Sequence, residues 1–353
     1  MTLNLILVVI VILIALWFDF TNGFHDAANA IATTVATGAL KPRTALIMAA
    51  VMNLVGALLG TEVAKTIGEG IIDITGFATS EAELVQRAGL VIVLSALVGA
   101  VTWNYTTWWF GLPSSSSHAM IGGLVGAGVA SATTVHWVGI TKTVIIPMLA
   151  SPFIGFVLSY LFMKLLLALF ASMPYHRTMR RFRYAQRFSS AAVALGHGLQ
   201  DAQKTMGVIV IALLAGGYGE THNIFDPVNG DMTIPFWVKV SAAGAIALGT
   251  YSGGWRIMKT LGSKMIDLDP ASGFAAETVS ATVLYSAAYI FHAPISTTQS
   301  ITAAILGAGA TKRKSAVRWS VVGNIVVAWV LTLPAAALVS SLFYFLFNAI
   351  IPT

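Results

Sequence analysis

The sequence predicts an all-α, polytopic membrane protein built from two related halves, and three features of its 353 residues lead to this prediction. Hydrophobic residues make up 57% of the chain and charged residues only 10%, with a mean hydropathy of +0.81. Apolar stretches recur along the whole chain, and a bilayer core about 30 Å thick takes roughly 20 apolar residues per helix. Two sequence motifs also occur twice, in the same order.

The apolar stretches form two sets of five, separated by a short basic segment. The first set lies near residues 3–38, 44–60, 88–112, 114–131 and 143–172. The second set lies near residues 188–216, 235–253, 275–293, 294–310 and 317–350. The predicted organisation is therefore a first transmembrane repeat at 1–174, a basic cytoplasmic connector at 175–187 and a second transmembrane repeat at 188–353.

The repeated motifs link the two sets residue by residue. Residues 23–29 read Gly-Phe-His-Asp-Ala-Ala-Asn, and residues 198–204 read Gly-Leu-Gln-Asp-Ala-Gln-Lys. Residues 113–119 read Pro-Ser-Ser-Ser-Ser-His-Ala, and residues 294–300 read Pro-Ile-Ser-Thr-Thr-Gln-Ser. Each half therefore carries one aspartate motif followed by one hydroxyl motif.

Loop charges predict that the two halves have opposite orientations in the membrane. The connector 175–187 contains five arginines and no acid, so the positive-inside rule places it in the cytoplasm, together with the basic segments 39–43 and 311–318. The segments 61–86 and 217–234 have almost no basic residues and are predicted to lie outside. Equivalent loops then fall on opposite sides, which indicates inverted-topology repeats and places both termini outside.

Charge balance and composition exclude several other classes of function. The net charge of +6 matches the basic cytoplasmic loops of a membrane protein, so we expect the lipid bilayer and not nucleic acid as partner. The chain has no cysteine, which excludes disulfides, thiolate metal sites and cysteine nucleophiles. We expect no cofactor beyond a coupling ion.

Asp26 and Asp201 are the predicted cation ligands. Of the 14 acidic residues, these two and Asp19 and Glu277 lie in or beside apolar segments, where an ionisable group costs several kcal/mol and is functional by default. Asp26 and Asp201 occupy the same place in the two repeats, and a carboxylate suits a hard cation such as sodium or carries a proton. Alternatively, each carboxylate caps a broken helix, or Asp201 pairs with Lys204.

Four neighbours follow these carboxylates within one helical turn. Asn29, Gln203 and Thr205 offer neutral oxygens to a bound cation, or else hydrogen-bond between helices. Lys204 is the lone cation of this region. It faces an anion, neutralises Asp201, or extends towards an interface.

The hydroxyl motifs after Pro113 and Pro294 predict broken or re-entrant helices. Proline disfavours helix in the residue before it, so each motif is expected to open a short helix. The first turn of a helix presents unpaired N–H groups and a positive dipole end, and hydroxyls add further donors, so two such ends bind a tetrahedral oxyanion. The alternative is that these hydroxyls only cap helices.

These residues resemble the inorganic phosphate transporter (PiT) family of cation-coupled symporters. Residues 23–30 and 196–207 match its signature, the hydroxyl motifs fit as well, and the resemblance covers nearly the whole chain. It implies phosphate at the hydroxyl motifs, sodium or protons at the aspartate motifs, and a homodimer in the plasma membrane of a prokaryote. The residues assigned to phosphate are Ser114, Ser115, Ser116, Ser117, Ser296, Thr297, Thr298, Gln299, Asn29 and Lys204. The residues assigned to the cation are Asp26, Asn29, Asp201, Gln203 and Thr205.

Together, these features predict a secondary transporter that imports phosphate with cations by alternating access. Many family members have asparagine before the signature aspartate, where this chain has His25 and Gln200, so sodium and proton both stay open. A sulfate or other oxyanion permease of the same fold is the nearest alternative. A distant alternative is an intramembrane hydrolase, but Gln299 replaces the base His118 in the second repeat, so we expect no enzyme. His136, His197 and His292 are assigned structural or interfacial roles and not ligand roles.

Overall fold

A computed structural model describes residues 3–70, 82–225, 232–311, 317–351 and 353. Its regular elements over these residues are helices, which confirms the all-α prediction. In the first half they are α1 (Leu3–Ala36), α2 (Pro42–Leu58), α3 (Glu62–Gly70), α4 (Glu83–Phe110), α5 (Ser116–Ala130), α6 (Trp137–Ile140) and α7 (Ile146–Leu169). In the second half they are α8 (Tyr175–Ala215), α9 (Phe236–Ser252), α10 (Trp255–Lys259), α11 (Pro270–Tyr289), α12 (Thr297–Ala310) and α13 (Trp319–Ile350). Short π-helical segments follow α6 at Thr141–Ile145 and α10 at Thr260–Lys264.

Membrane-spanning helices are present, as predicted. Among the described helices, α1, α4, α7 and α13 are each long and apolar enough to cross a bilayer. The outer helices α7 and α13 expose large apolar side chains such as Phe153 and Leu338 on their free faces, as lipid contact requires. Helix α8 is 41 residues long, but its arginine-rich start and its internal Asp201 and Lys204 lower its hydropathy.

The predicted connector is helical. Residues 175–187 form the beginning of α8, which continues through the predicted boundary at residue 188 without a break. Residues 71–81, 226–231 and 312–316 of the predicted loops lie outside the described residues. The assignment of loops and termini to the two sides of the membrane therefore stays a prediction.

The helices of the two halves pack in a reciprocal pattern. Helix α1 packs against α9 of the other half, and α8 packs against α2. In the same way α5 packs against α13, and α12 packs against α7. Helices α1 and α8 also contact each other, so the two aspartate motifs face one another at the centre of the fold. This exchange of partners agrees with two structural repeats, while their opposite orientation stays a prediction.

Equivalent glycines allow these close helix contacts. At several positions an added Cβ would collide with a backbone carbonyl oxygen of the facing helix, and four of these positions form two equivalent pairs. The contacts are Gly23 with Ile246, Gly198 with Asn53, Gly126 with Ala337 and Gly307 with Phe156. Each contact in one half therefore has a counterpart in the other.

The helices that follow the two prolines are short, as predicted. Helices α5 and α12 contain 15 and 14 residues and are about 22 Å long at 1.5 Å per residue, less than the thickness of a bilayer core. Non-helical residues precede both helices, and Gly111 ends α4 in the left-handed conformation with φ of +66°. Ser116 and Thr297 at the two helix starts are buried, so both helices begin inside the protein.

Candidate cation and oxyanion site

Asp26, His197 and Asp201 form a buried cluster between α1 and α8. Each residue contributes one ligand atom, and these atoms lie within 4.8 Å of one another. His197 Nε2 is 3.0 Å from Asp201 Oδ2 and 4.0 Å from Asp26 Oδ2. Its Nδ1 lies 3.1 Å from Asn53 Oδ1, which fixes the plane of the ring. The two predicted carboxylates therefore share one site.

The structure places His197 in the cluster, whereas it is not assigned to the site from the sequence alone. It stands four residues before Asp201, a spacing that places both side chains on one face of α8. That spacing is a sequence signal for its membership of the site. Its partner Asn53 comes from α2, which has no repeated motif, so the sequence holds no sign of that contact.

Asp26 accepts hydrogen bonds from both halves of the protein. Its Oδ1 accepts from the Thr298 hydroxyl at 3.1 Å and lies 2.7 Å from His25 Nδ1. Its Oδ2 accepts from the Ser116 hydroxyl at 3.5 Å. Helix α1 runs unbroken past this residue, so Asp26 does not cap a broken helix. The surrounding donors are instead the hydroxyls predicted to hold an anion.

Asp201 pairs with Lys204. The ammonium of Lys204 donates to Asp201 Oδ1, and the Thr297 hydroxyl donates to Oδ2 at 3.1 Å. Lys204 also donates to the Ser117 hydroxyl, and to the Ile295 carbonyl oxygen at 3.0 Å. Because Lys204 is only 1% exposed, it does not extend towards an interface. It neutralises Asp201 and at the same time contacts the hydroxyl motif of the other half.

Equivalent residues of the two aspartate motifs make equivalent contacts across the fold. Asn29 of the first motif donates through Nδ2 to Thr298 Oγ1 of α12 at 2.9 Å. Lys204, its counterpart, donates to Ser117 of α5. Each aspartate motif thus reaches the hydroxyl motif of the opposite half. This is the geometry that two related repeats crossing at one site produce.

The hydroxyls divide into caps and site residues. Ser115 accepts from the backbone N–H of His118 at 3.2 Å, and Ser296 accepts from that of Gln299 at the same distance, so both serines act as N-caps. The next two hydroxyls of each helix point to the carboxylates, to Lys204 or to the backbone beside them. They are Ser116, Ser117, Thr297 and Thr298.

The remaining predicted anion ligands lie beside this group. Gln299 Nε2 and His118 Nδ1 approach within 3.5 Å, which brings the two helix starts together. Ser114 lies before α5 and donates to Thr107 Oγ1 at 2.8 Å. Within the described part of the chain, the side-chain contact of the His118 ring is therefore to Gln299, whereas Ser114 Oγ lies 3.5 Å from His25 Nε2.

Two predicted cation ligands lie away from the cluster. The amide of Gln203 accepts from Val63 N at 2.8 Å and donates to Leu199 O at 2.7 Å, which holds α3 against α8. The Thr205 hydroxyl lies one turn beyond Asp201 and faces the carboxyl of Asp19. The structure therefore brings Asp26, Asn29 and Asp201 together and leaves Gln203 and Thr205 outside the group.

Comparison with known proteins identifies the family of the chain. The phosphate transporter family matches residues 22–340. A protein of Rhizobium meliloti (strain 1021), named a probable low-affinity inorganic phosphate transporter, is 47% identical over 347 residues, which are 98% of this chain and 97% of the relative. A Bacillus subtilis (strain 168) protein of the same name is 41% identical over 352 residues, covering 99% and 100% of the two chains.

A solved structure shares the whole fold. It is described as the sodium-dependent phosphate transporter, and it matches 98% of this chain and 100% of its own with a TM-score of 0.82 at 23% identity. The family match confirms the resemblance drawn from the four motifs, and it confirms that the chain is a transporter and not an enzyme. On these grounds the chain belongs to the phosphate transporter family.

Proposed function

We propose that this protein imports inorganic phosphate by symport with cations, sodium in preference to protons, through alternating access. The observation that carries the proposal is the meeting of two carboxylates, one lysine and the hydroxyl-bearing starts of α5 and α12 in one buried cluster. Relatives at 47% and 41% identity are named phosphate transporters, which supports phosphate as the substrate.

Cations bind first because the empty site repels an anion. The two carboxylates carry two negative charges, of which Lys204 offsets one. A phosphate bearing one or two negative charges meets strong repulsion at these distances in a medium of low dielectric constant. A cation between Asp26 and Asp201 removes that repulsion, so uptake of phosphate becomes conditional on the cation.

Sodium fits the ligands better than a softer metal does. Hard cations prefer oxygen, and the carboxylates of Asp26 and Asp201 lie beside the hydroxyls of Ser116, Thr297 and Thr298. The cluster of possible metal ligands holds two carboxylates and one imidazole, that of His197, whereas transition-metal sites usually hold several nitrogen or sulfur ligands. The solved structure of the same fold is described as sodium-dependent, a property of that protein.

Lys204 provides the step that links cation to anion. Its ammonium is shared between Asp201 and Ser117, so it already bridges a carboxylate and a hydroxyl motif. A cation that binds Asp201 competes with the ammonium for the same carboxylate oxygens. Lys204 is then released towards an oxyanion held by Ser117 and the N–H groups of the helix starts.

Sulfate is the second candidate substrate, because it is also a tetrahedral oxyanion. Phosphate differs in carrying a proton near neutral pH, and the Lys204 ammonium cannot distinguish the two anions because it offers only donors. The names of the relatives favour phosphate. Competition of unlabelled sulfate against labelled phosphate separates the two, and we expect sulfate to compete poorly.

Inverted orientation, outward termini and a homodimer belong to the same proposal. The reciprocal packing of the two halves supports the repeats. Because the chain has no cysteine, a single cysteine introduced at Arg180 or at Thr353 reports its side of the membrane without background. We expect impermeant reagents to label Thr353→Cys from outside and Arg180→Cys only after the membrane is opened. Crosslinking of the intact protein in membranes tests the homodimer.

The decisive test of function is phosphate uptake into proteoliposomes with sodium and proton gradients imposed separately. We expect an inward sodium gradient to drive uptake above equilibrium and Asp26→Asn to abolish it. Asp267→Asn is the matched control, since this aspartate is exposed and pairs with Arg318 at 3.3 Å. Uptake that ignores both gradients would refute symport and indicate a passive route.

A further inference from the structure

Asp19 is a buried carboxylate that the proposed mechanism does not use. Its side chain is 0% exposed, and neither carboxylate oxygen has a hydrogen-bond partner among the described residues. The buried Glu277 is different, because it accepts hydrogen bonds from the Thr33, Thr34 and Ser189 hydroxyls and from the Gln186 amide. The Thr205 hydroxyl is the one donor group that faces Asp19 among the described residues, so this buried carboxylate is costly unless a proton or a cation neutralises it.

The position of Asp19 extends the cation site along the contact between α1 and α8. It stands seven residues before Asp26, two helical turns or about 10.5 Å along α1. Opposite it on α8 is Thr205, one turn beyond Asp201. The charged groups that act on Asp19 are Asp201 and Lys204, both on α8. Asp19 and Thr205 therefore form the next layer of the same interface.

Two further side-chain oxygens on the facing sides of α1 and α8 lack hydrogen-bond partners among the described residues. Asn22 follows Asp19 by one turn, and its Oδ1 is buried without a hydrogen bond in the described part of the chain. Thr205 Oγ1, which faces the Asp19 carboxyl from α8, is likewise buried without a hydrogen bond within these residues. These atoms are carboxylate, amide and hydroxyl oxygens, the ligands that a hard cation takes.

A single proton does not satisfy this group. A proton on Asp19 creates one O–H donor, which hydrogen-bonds to one acceptor and leaves the other oxygens unpaired. A sodium ion accepts several oxygen ligands at once and also neutralises the carboxylate. The charge count points the same way, because Lys204 is one positive charge against the three carboxylates Asp19, Asp26 and Asp201.

We propose that Asp19, with the side-chain oxygens of Asn22 and Thr205, forms an additional sodium site one layer from the Asp26 and Asp201 cluster. The proposal rests on cation-coupled transport, and it adds one sodium ion to each transport cycle. Asn22 lies between Asp19 and Asp26 on α1. Its amide oxygen can therefore contact an ion that moves between the Asp19 site and the Asp26 and Asp201 cluster.

The test is the number of sodium ions transported per phosphate, measured from the membrane potential at which net flux through proteoliposomes stops. We expect Asp19→Asn to transport one sodium ion fewer than wild type, with a lower Hill coefficient for sodium. Thr205→Val keeps the carboxylate, so we expect the same ratio with a half-saturating sodium concentration raised about three- to tenfold, the effect of losing one neutral ligand. Asp267→Asn is the control.

The outcomes separate this inference from the proposed function. A wild type whose uptake ignores sodium refutes coupling itself. A coupled wild type with an unchanged ratio and Hill coefficient in Asp19→Asn overturns the additional site alone. The additional site is also overturned if Asp19→Asn changes only the dependence of uptake on pH, since Asp19 then carries a proton. Counting bound radioactive sodium on purified wild type and Asp19→Asn protein gives an answer even if the variant transports poorly, with one ion fewer expected in the variant.

Discussion

The two aspartate motifs occupy equivalent places in the fold but have different electrostatic surroundings. Asp26 lies 2.7 Å from His25 Nδ1 and accepts from the hydroxyls of Thr298 and Ser116, and Asn29 stands where the second motif has Lys204. Asp201 is paired with the ammonium of Lys204. Asp26 therefore lacks the lysine partner that Asp201 has. The repeated scaffold supplies the geometry of both motifs, while the difference between Asn29 and Lys204 determines which carboxylate has a lysine partner.

The largest expected difference between the two aspartate motifs comes from removing each carboxylate charge. Asp26→Asn keeps the shape of the side chain and removes a cation ligand, so we expect loss of sodium-driven uptake with little change in melting temperature. Asp201→Asn strands Lys204 as a buried unpaired charge, which costs about 3–5 kcal/mol, so we expect lower stability as well. Uptake and tryptophan-fluorescence melting of both purified variants check this. Equal stability of the two variants would contradict the asymmetry.

Exchanging the equivalent residues Asn29 and Lys204 tests whether the two aspartate motifs can replace each other. We expect Lys204→Asn alone to lose most phosphate uptake, because it removes the only ammonium of the site and leaves Asp201 unpaired. Adding Asn29→Lys moves the charge to Asp26, within reach of the α12 hydroxyls, so we expect the double variant to recover part of the uptake. Uptake rates of the two single variants and the double variant form a double-mutant cycle. No recovery in a folded double variant would show that the halves are not interchangeable.

Removing one threonine hydroxyl beside each aspartate is expected to change phosphate uptake less than removing a charge. Thr298 donates to Asp26 and accepts from Asn29, whereas Thr297 donates to Asp201. We expect Thr298→Val to raise the phosphate KM about tenfold and Thr297→Val less, since Lys204 still neutralises Asp201. Thr302→Val is the matched control, because this buried threonine of α12 has no hydrogen-bond partner among the described residues. The phosphate KM of each variant is the measurement. A larger increase in KM for Thr297→Val than for Thr298→Val would contradict the expectation that the Asp26 side depends more on its hydroxyl.

The smallest effect concerns packing and not the site. An added methyl at Gly126 or Gly307 meets a backbone carbonyl of the facing helix, so we expect each alanine variant to lose about 1–3 kcal/mol of stability. Gly244→Ala is the control, because open space surrounds that position. Melting temperatures of the three variants test the reciprocal packing. If only one of Gly126→Ala and Gly307→Ala lowers the melting temperature, the two glycine contacts are not equivalent. If neither does, the close helix packing at these positions is wrong.

The sequence predicts those parts of the site that occur twice. Asp26 and Asp201, and the hydroxyls after Pro113 and Pro294, stand out because each has a counterpart at the same place in the other half. Helix class and the short helices after each proline follow from apolar composition and from the backbone limits of proline.

Residues assigned from closeness in sequence alone are less well placed. Gln203 follows Asp201 by two residues, which turns it about 200° around α8 and away from the cluster. Thr205 shares the face of Asp201 but lies one turn further along the axis, where it meets Asp19. His197 has no histidine counterpart in the first half, where Asn22 stands, so the repeat gives no sign of its place in the site. Asn53 and Thr107 come from helices without a repeated motif, so only the fold shows their contacts.

The central claim is that a cation on the carboxylates allows the oxyanion to bind, and phosphate affinity measured as a function of sodium concentration tests it most directly. Calorimetry on the purified protein gives the phosphate Kd at each sodium concentration, with potassium replacing sodium at constant ionic strength. We predict that sodium tightens phosphate binding, that phosphate tightens sodium binding by the same factor, and that Asp26→Asn loses this dependence. A phosphate affinity that stays the same with and without sodium would contradict the account.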